Sequence, residues 1–228
     1  MQYMNTSNTY NLDFFLSSLE KSLFRDFEDM LDNQGFYYLS LPAFIKKETL
    51  LKQEVVGLDA AFSITDGIVL NGSAEQGILE YFENKTVGRL KLYSFTHCYR
   101  NEKEIEPLIR LWEFKKLEQF CFTDESHWEE DFMCLLTNAT KFLEKYGIVY
   151  RVSDVTKRDP GYHIKKWDIE IYLKSQNRWL EANSCSYFGQ EQTRRFNITG
   201  ATHSISNTGI ASPRILLGFI ERYNEQRI

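Results

Sequence analysis

No stretch of this 228-residue sequence approaches the roughly 18 consecutive apolar residues of a membrane span. Its first residues, MQYMNTSNTY, have neither the basic n-region nor the apolar h-region of a secretory signal, so a soluble, cytoplasmic chain with no membrane contact is expected. Cysteines are few and scattered. Cys98, Cys121, Cys134 and Cys185 contain no Cys-x-x-Cys pair, which removes the spacing of a zinc knuckle or redox motif and leaves buried thiols as the expectation. Positive charge is also short, with 27 Lys and Arg against 32 Asp and Glu and a formal net charge of −5. A broad nucleic-acid footprint needs the opposite balance, although a local basic patch is compatible with it. There is no internal repeat, low-complexity tract or linker. At 43% hydrophobic and 15% aromatic content, the chain suffices for one buried core and hardly for two, so a single domain over 1–228 is expected, with a loose segment over 1–12.

What is present is well patterned. Phe15, Leu16, Leu19, Leu23, Phe24, Phe27, Met30 and Leu31 keep helical spacing, with Asp13 as N-cap and Gly35 as stop signal. Gly35 to Pro42 reads as a short strand and Ile45 to Gln53 as a helix. Helices are also predicted from Ala74 to Phe82, from Glu129 to Tyr146 before Gly147, and from Ile215 to Tyr223. Strands are predicted over Ile148 to Val155, from Trp167 onward and from Arg178.

The densest chemistry lies between Tyr99 and Phe122. An apolar run from Leu90 to Tyr99 ends in Arg-Asn-Glu; a charged loop holding Pro107 follows, and a second run carries Leu111, Phe114, Leu117, Phe120 and Phe122, the outline of a two-stranded hairpin. On strands, Arg100 and Glu102 face one side, and Arg110, Trp112, Phe114 and Glu118 share a parity on the return. Such a face offers arginines that fork a phosphate, carboxylates that hold an ammonium group and a ring that stacks on a nucleobase. The pattern alone also fits, and by frequency favours, a solvated sheet with surface ion pairs.

Arg-x-Glu, a loop, then Arg-x-x-x-Phe-x-x-x-Glu resembles motif 2 of the class II aminoacyl-tRNA synthetases. The first helix followed by a strand ending at Pro42 is similar to motif 1. Gly72-Ser73-Ala74-Glu75 resembles the Thr-x-Glu segment of the seryl enzymes with serine for threonine, although Ser73 is also a ready N-cap for the next helix. Asp168-Ile-Glu, Glu181-Ala-Asn-Ser-Cys-Ser and Gln192-Thr-Arg-Arg form the most specific match, to seryl-tRNA synthetases. A strand, a glycine-containing turn and Arg214 at the start of a helix resemble motif 3, where a helix N-terminus favours an anion. The resemblance covers about 13–225.

It implies an α+β fold, a mixed, mainly antiparallel sheet flanked by helices, forming a homodimer through the motif 1 elements. It also implies ATP and magnesium as cofactors, and activation of a small, serine-like amino acid to an aminoacyl adenylate with release of pyrophosphate, through alignment and charge neutralisation without a protein nucleophile. Arg100 would bind the α-phosphate and the amino-acid carboxylate, Glu102 the adenine edge, Phe114 the adenine face and Arg214 the γ-phosphate. Arg110 would assist at the phosphates, and Arg100 and Arg214 would be the catalytic pair. Glu181 and Ser184 would hold ATP and its magnesium, with Asn183 standing where the family has a serine. Ser73, Glu75, Arg100, Glu118 and Thr208 fall on amino-acid-binding positions. A zinc-dependent branch of these enzymes uses cysteines near Ser73 and motif 3 that are missing here, so no zinc is expected.

Two departures bear on the acceptor. The first residues carry no heptad pattern of a tRNA-gripping coiled coil, and the loop from Glu102 to Arg110 is shorter than the family's. The expectation from these is transfer to a non-tRNA acceptor such as a carrier protein or metabolite. It would dock near Arg194, Arg195, Lys157, Arg158, Lys165 and Lys166, and tRNA would bind only through a partner. The alternatives are a seryl-type tRNA ligase with a separate RNA-binding partner, and a non-catalytic paralogue that binds ligands or partners. Retention of Arg100, Glu102, Phe114, Glu118, Glu181 and Arg214 argues against the last, since buried charge destabilises a pure interaction protein for no return.

Overall fold

Asp13 begins the first long helix as expected, its carboxylate accepting the otherwise free N–H of Leu16 at 2.8 Å. The computed structural model describes residues 3–6, 8–53, 58–159 and 161–225. In chain order the elements are β1 (Tyr3–Thr6), β2 (Thr9–Leu12), α1 (Phe14–Asp32), β3 (Tyr37–Tyr38), β4 (Phe44–Lys46), α2 (Lys47–Gln53), β5 (Ile68–Leu70) and α3 (Ala74–Phe82). There follow β6 (Thr86–Val87), β7 (Leu90–Tyr99), β8 (Glu113–Thr123), α4 (Trp128–Lys145), β9 (Tyr150–Asp154), β10 (Lys165–Leu173), β11 (Arg178–Gly189), α5 (Glu191–Arg195), β12 (Thr199–Gly200), β13 (His203–Ser212) and α6 (Leu216–Glu225).

Seven strands form one sheet in the order β3-β7-β8-β13-β11-β10-β9. Only the β3–β7 pairing is parallel. The sheet is therefore mixed and mainly antiparallel with helices against it, as expected. One face is covered by α1 and α4. Leu23, Phe27 and Leu31 meet Leu135, Phe142 and Leu143 over Leu117, Ile205 and Ile210, and full burial of each such side chain stabilises by about 1.5–3 kcal/mol. The other face, at its centre, carries polar and charged side chains.

Four expectations need correction. The segment over 1–12, expected to be loose, holds the antiparallel pair of β1 and β2. The strand from Gly35 to Pro42 contracts to Tyr37 and Tyr38. Ile45 lies in a strand rather than a helix, because pairing with β5 sets it opposite Val69, where both are buried. Arg100 and Glu102 do not share a strand face: β7 ends at Tyr99, and beyond it the Asn101 N–H donates to the Ala60 carbonyl at 2.8 Å and the Glu102 N–H to the Arg100 carbonyl at 2.8 Å. Of the cysteines, Cys98, Cys121 and Cys185 are buried, while Cys134 is half-buried. Burial pushes the Cys98 thiol up to about 12. Among the described residues no helix is long and apolar enough to cross a membrane.

Asp131, fully buried in the first turn of α4, ties that helix to the sheet. It accepts from Arg89 at 2.9 and 2.6 Å, from Thr123 at 2.6 Å, and pairs with Lys91 at 3.0 Å. Burial works to raise its pKa, but the hydrogen bonds from Arg89, Thr123 and Lys91 together outweigh that and hold it at about 2, against 3.8 ordinarily. A carboxylate depressed in the folded state stabilises above its ordinary value and loses that contribution as pH falls through the folded one. Stability to urea should therefore drop as pH falls from 3.8 towards 2, and Asp131→Asn should lower the neutral midpoint and flatten this acid limb. An unchanged acid slope in the variant would contradict the assignment.

Candidate active site

Two neighbouring β-bulges shape the polar face. Between β10 and β11, Ile169 stands opposite Asn183 and Glu170 opposite Glu181, leaving Ala182 as an extra residue. Between β13 and β8, Thr208 stands opposite Glu118 and Ile210 opposite Leu117, leaving Gly209 extra. One extra residue reverses the alternation of side chains. Glu181 and Ser184, three apart, thus reach the same face, as do Thr208 and Ala211. Asn183 fastens the two bulges, its Nδ2 donating to the carbonyls of Thr208 at 2.7 Å and Gly209 at 2.6 Å. Glycine is required at 209 because a Cβ there would lie 2.7 Å from the Phe27 ring.

Two cavities open on this face. The first is lined by Arg100, Glu102, Arg110, Phe114, Glu181 and Arg214, with Leu108 and Leu111 of the β7–β8 loop. The second is lined by Ser73, Glu75, Arg100, Glu118, Glu181, Ser184 and Thr208, with Tyr162, His163 and Phe188. Every site residue expected from the sequence lines one of the two. Arg100, Lys116, Glu181 and Thr208 line both.

In the first cavity the Arg100 guanidinium lies 5.3 Å from the Phe114 ring centroid and donates through Nε and Nη2 to the Gly72 carbonyl at 3.2 and 3.1 Å. Arg214 donates to the Ile109 carbonyl at 3.2 and 3.0 Å and to the Glu181 carbonyl at 3.2 Å, which fastens the β7–β8 loop to the end of β13. Its burial, to which Arg100 and Arg110 add and which Glu181 opposes, lowers its pKa, yet a guanidinium remains charged. Glu102 pairs with Arg110 at 3.4 Å. Trp112 turns away, its ring against Phe62 and its Nε1 donating to the Glu102 carbonyl at 3.0 Å.

The floor of the second cavity is a buried carboxylate with every oxygen occupied. Glu75 accepts from Gln53 at 2.6 Å, Gln192 at 2.7 Å and Ser206 at 2.6 Å. Glu118, opposite Thr208, is pushed up to about 6 by burial and by the charge of Glu75, while Lys116 works against the rise. Asp168, behind Ser184, is also raised to about 6 by burial and by Glu181. Ser73 caps α3, accepting from the Glu75 N–H at 3.3 Å, and lines the cavity as well. Among the described residues no three His, Cys, Asp or Glu side chains converge as a metal cage. Glu181 and Ser184 offer two oxygens, a donor set that fits a hard ion held chiefly by phosphate and water.

Sequence reasoning missed Lys116, Gln53, Gln192, Ser206 and Tyr162. Lys116 carried a signal, since it alternates with Phe114 and Glu118 on β8. Gln192 stood inside a quoted match. Gln53 and Tyr162 reach the cavity from distant segments, and no local pattern marks them.

The profile of the tRNA synthetase class II core domain (G, H, P, S and T) matches residues 63–223, and the chain belongs to that family. The serine–tRNA ligase of Orientia tsutsugamushi (strain Ikeda) is 29% identical, across 96% of this chain and 56% of its own length. That of Deinococcus radiodurans is 30% identical, across 96% and 57%. The chain thus spans somewhat over half the length of these curated relatives. The fold matches that of seryl-tRNA synthetase from Pyrococcus horikoshii complexed with ATP, with a TM-score of 0.87 at 23% identity over 94% of this chain and 53% of that one. It also matches the cytoplasmic serine–tRNA ligase of Naegleria fowleri in complex with AMP, with a TM-score of 0.85 at 24% identity over 95% and 57%.

The closed set of bonds around Glu75 generates a stability test. Glu75→Ala leaves three buried donors without an acceptor, each worth about 1–3 kcal/mol, whereas Ser73→Ala removes one helix cap worth about 1 kcal/mol. Urea denaturation should find Glu75→Ala the less stable by a clear margin; equal midpoints would show that Glu75 is not held as described.

Proposed function

We propose, with membership of the class II synthetase family as premise, that this chain is the catalytic core of a seryl-type tRNA ligase. It would join the carboxylate of serine to the α-phosphate of ATP, releasing pyrophosphate, and pass the seryl group to tRNA bound through an RNA-binding part from another chain or segment. The observation that carries this is the adjacency of the two cavities. Three arginines and a stacking ring face one, the buried Glu118 carboxylate suited to an ammonium faces the other, and Arg100 lines both.

In this reading a carboxylate oxygen of serine attacks the α-phosphorus while the bond to the pyrophosphate oxygen breaks. Arg100 neutralises charge at both reacting groups. Phe114 stacks on adenine, Glu102 reads its edge, and Arg214 exchanges its carbonyl partners for the γ-phosphate, with Arg110 alongside. Glu118 and Ser73 hold the ammonium, and Thr208 closes the space to small side chains. Magnesium, held by Glu181 and Ser184, would draw charge from the phosphates. The exposed rings of Phe14 (96%), Tyr37 (68%) and Tyr38 (52%) on α1 and β3 support a homodimer. A cytoplasmic location belongs to the same reading.

The acceptor is where this departs from the sequence expectation. The similar proteins are named serine–tRNA ligases, which favours tRNA over a carrier protein or metabolite. Part of the basic cluster expected to dock a carrier is also already engaged. Arg194 and Arg195 pair with Glu191 at 2.6 and 2.7 Å, Lys166 pairs with Asp159, and Lys165 lies among the rings of Trp128, Phe132 and Trp167.

Exchange of labelled pyrophosphate into ATP tests the proposal, with serine expected to lead across the twenty amino acids. Arg100→Ala and Arg214→Ala should each lower the rate at least a hundredfold, about 3 kcal/mol of transition-state stabilisation, in protein that still unfolds cooperatively. Rates within twofold of the parent would overturn the assignment. Glu118 must be ionised to hold an ammonium, and its pKa is about 6, so KM for serine should rise as pH falls through 6. A KM flat from pH 7.5 to 5.5 would remove Glu118 from that role.

A further inference from the structure

We infer that Lys116 is a movable counter-ion that couples the two cavities. Its ammonium holds the amino-acid side until the substrate's ammonium arrives, then turns to the phosphates of the nucleotide, so that each substrate tightens binding of the other. The inference rests on the assignment of amino acid and nucleotide made above, and adds an interdependence which that assignment does not require.

Lys116 stands on β8 between Phe114 and Glu118, on the same face, and is one of four residues lining both cavities. It is 8% exposed. Its Nζ forms an ion pair with Glu118 and donates to Ser73 Oγ at 3.2 Å. Those are the two groups that would hold the substrate's ammonium. Two ammonium groups on one buried carboxylate repel, so the incoming one must displace the other. Lysine suits displacement, being a compact charge with rotatable donors on a flexible four-carbon stem.

The destination is conditional. Arg100, Arg110 and Arg214 already line the first cavity, against Glu102 and Glu181. A fourth cation is repelled there unless a polyphosphate is present, and is attracted when one is. Lys116 therefore leaves Glu118 readily only when an ammonium replaces it on one side and phosphate receives it on the other. By linkage, the factor by which amino acid strengthens nucleotide binding equals the factor for the reverse.

Titration calorimetry reads that factor directly. Serinamide keeps the ammonium but has no carboxylate to react, so its binding and that of magnesium ATP are measured alone and together. In the parent protein, saturating serinamide should lower the Kd of ATP about tenfold, ATP should do the same for serinamide, and 3-hydroxypropanamide, which lacks the ammonium, should have no such effect. In Lys116→Met and Lys116→Gln, ATP affinity should change less than twofold on adding serinamide. Parent protein that binds both ligands without coupling overturns the inference alone, with no variant needed. Coupling that survives in a folded Lys116 variant overturns it too, leaving Lys116 a fixed ion pair. Parent protein that binds neither ligand overturns the functional assignment and this inference together.

Discussion

A carboxylate as deeply buried as Glu118, 1% exposed, is compatible with a stable fold only beside a compensating charge or a full set of hydrogen-bond donors, and the polar face of the sheet is arranged around that requirement. Removing one partner of such a pair destabilises by about 3–5 kcal/mol. Lys116 compensates Glu118 from the same strand. Glu75 is met instead by three neutral donors from α2, α5 and β13. One buried carboxylate is thus tied to a movable cation and the other to fixed amides and a hydroxyl, which separates a group able to change partners from one that is part of the frame.

The frame itself depends on where strand alternation is broken. Without the extra residues at Ala182 and Gly209, Glu181 and Ser184 would face opposite sides of the sheet, as would Thr208 and Ala211. Asn183 clasps both irregularities through adjacent carbonyls. Phe27 of α1 presses on Gly209 from behind, so the helix that builds the core also fixes the backbone beside Thr208. Arg214 then fastens the β7–β8 loop over the first cavity. Core and site are one mechanical unit at this point.

Local signals were legible in the sequence. The cap at Asp13, the periodicity of α1, the limits of α3 and the hairpin of β7 and β8 all follow from neighbouring residues. The candidate site residues were singled out because their spacing matched a known order of motifs, and every one of them lines a cavity. What escaped depends on distant partners. Ile45 becomes a strand residue only because Val69 pairs with it. Arg100 and Glu102 leave the strand because the loop binds the Ala60 carbonyl. Parity counting cannot register a bulge, and a tally of lysines and arginines cannot show that Arg194 and Arg195 share Glu191 or that Lys166 pairs with Asp159.

The central claim is that a nucleotide and an amino acid lie side by side on this face, joined at Arg100. A crystal structure with the sulfamoyl analogue of seryl adenylate tests it most directly. The account predicts the adenine on the Phe114 ring, the sulfamoyl group against Arg100 and the ammonium in hydrogen-bond reach of Glu118. An analogue seated outside the two cavities, or with its adenine away from Phe114, would contradict it.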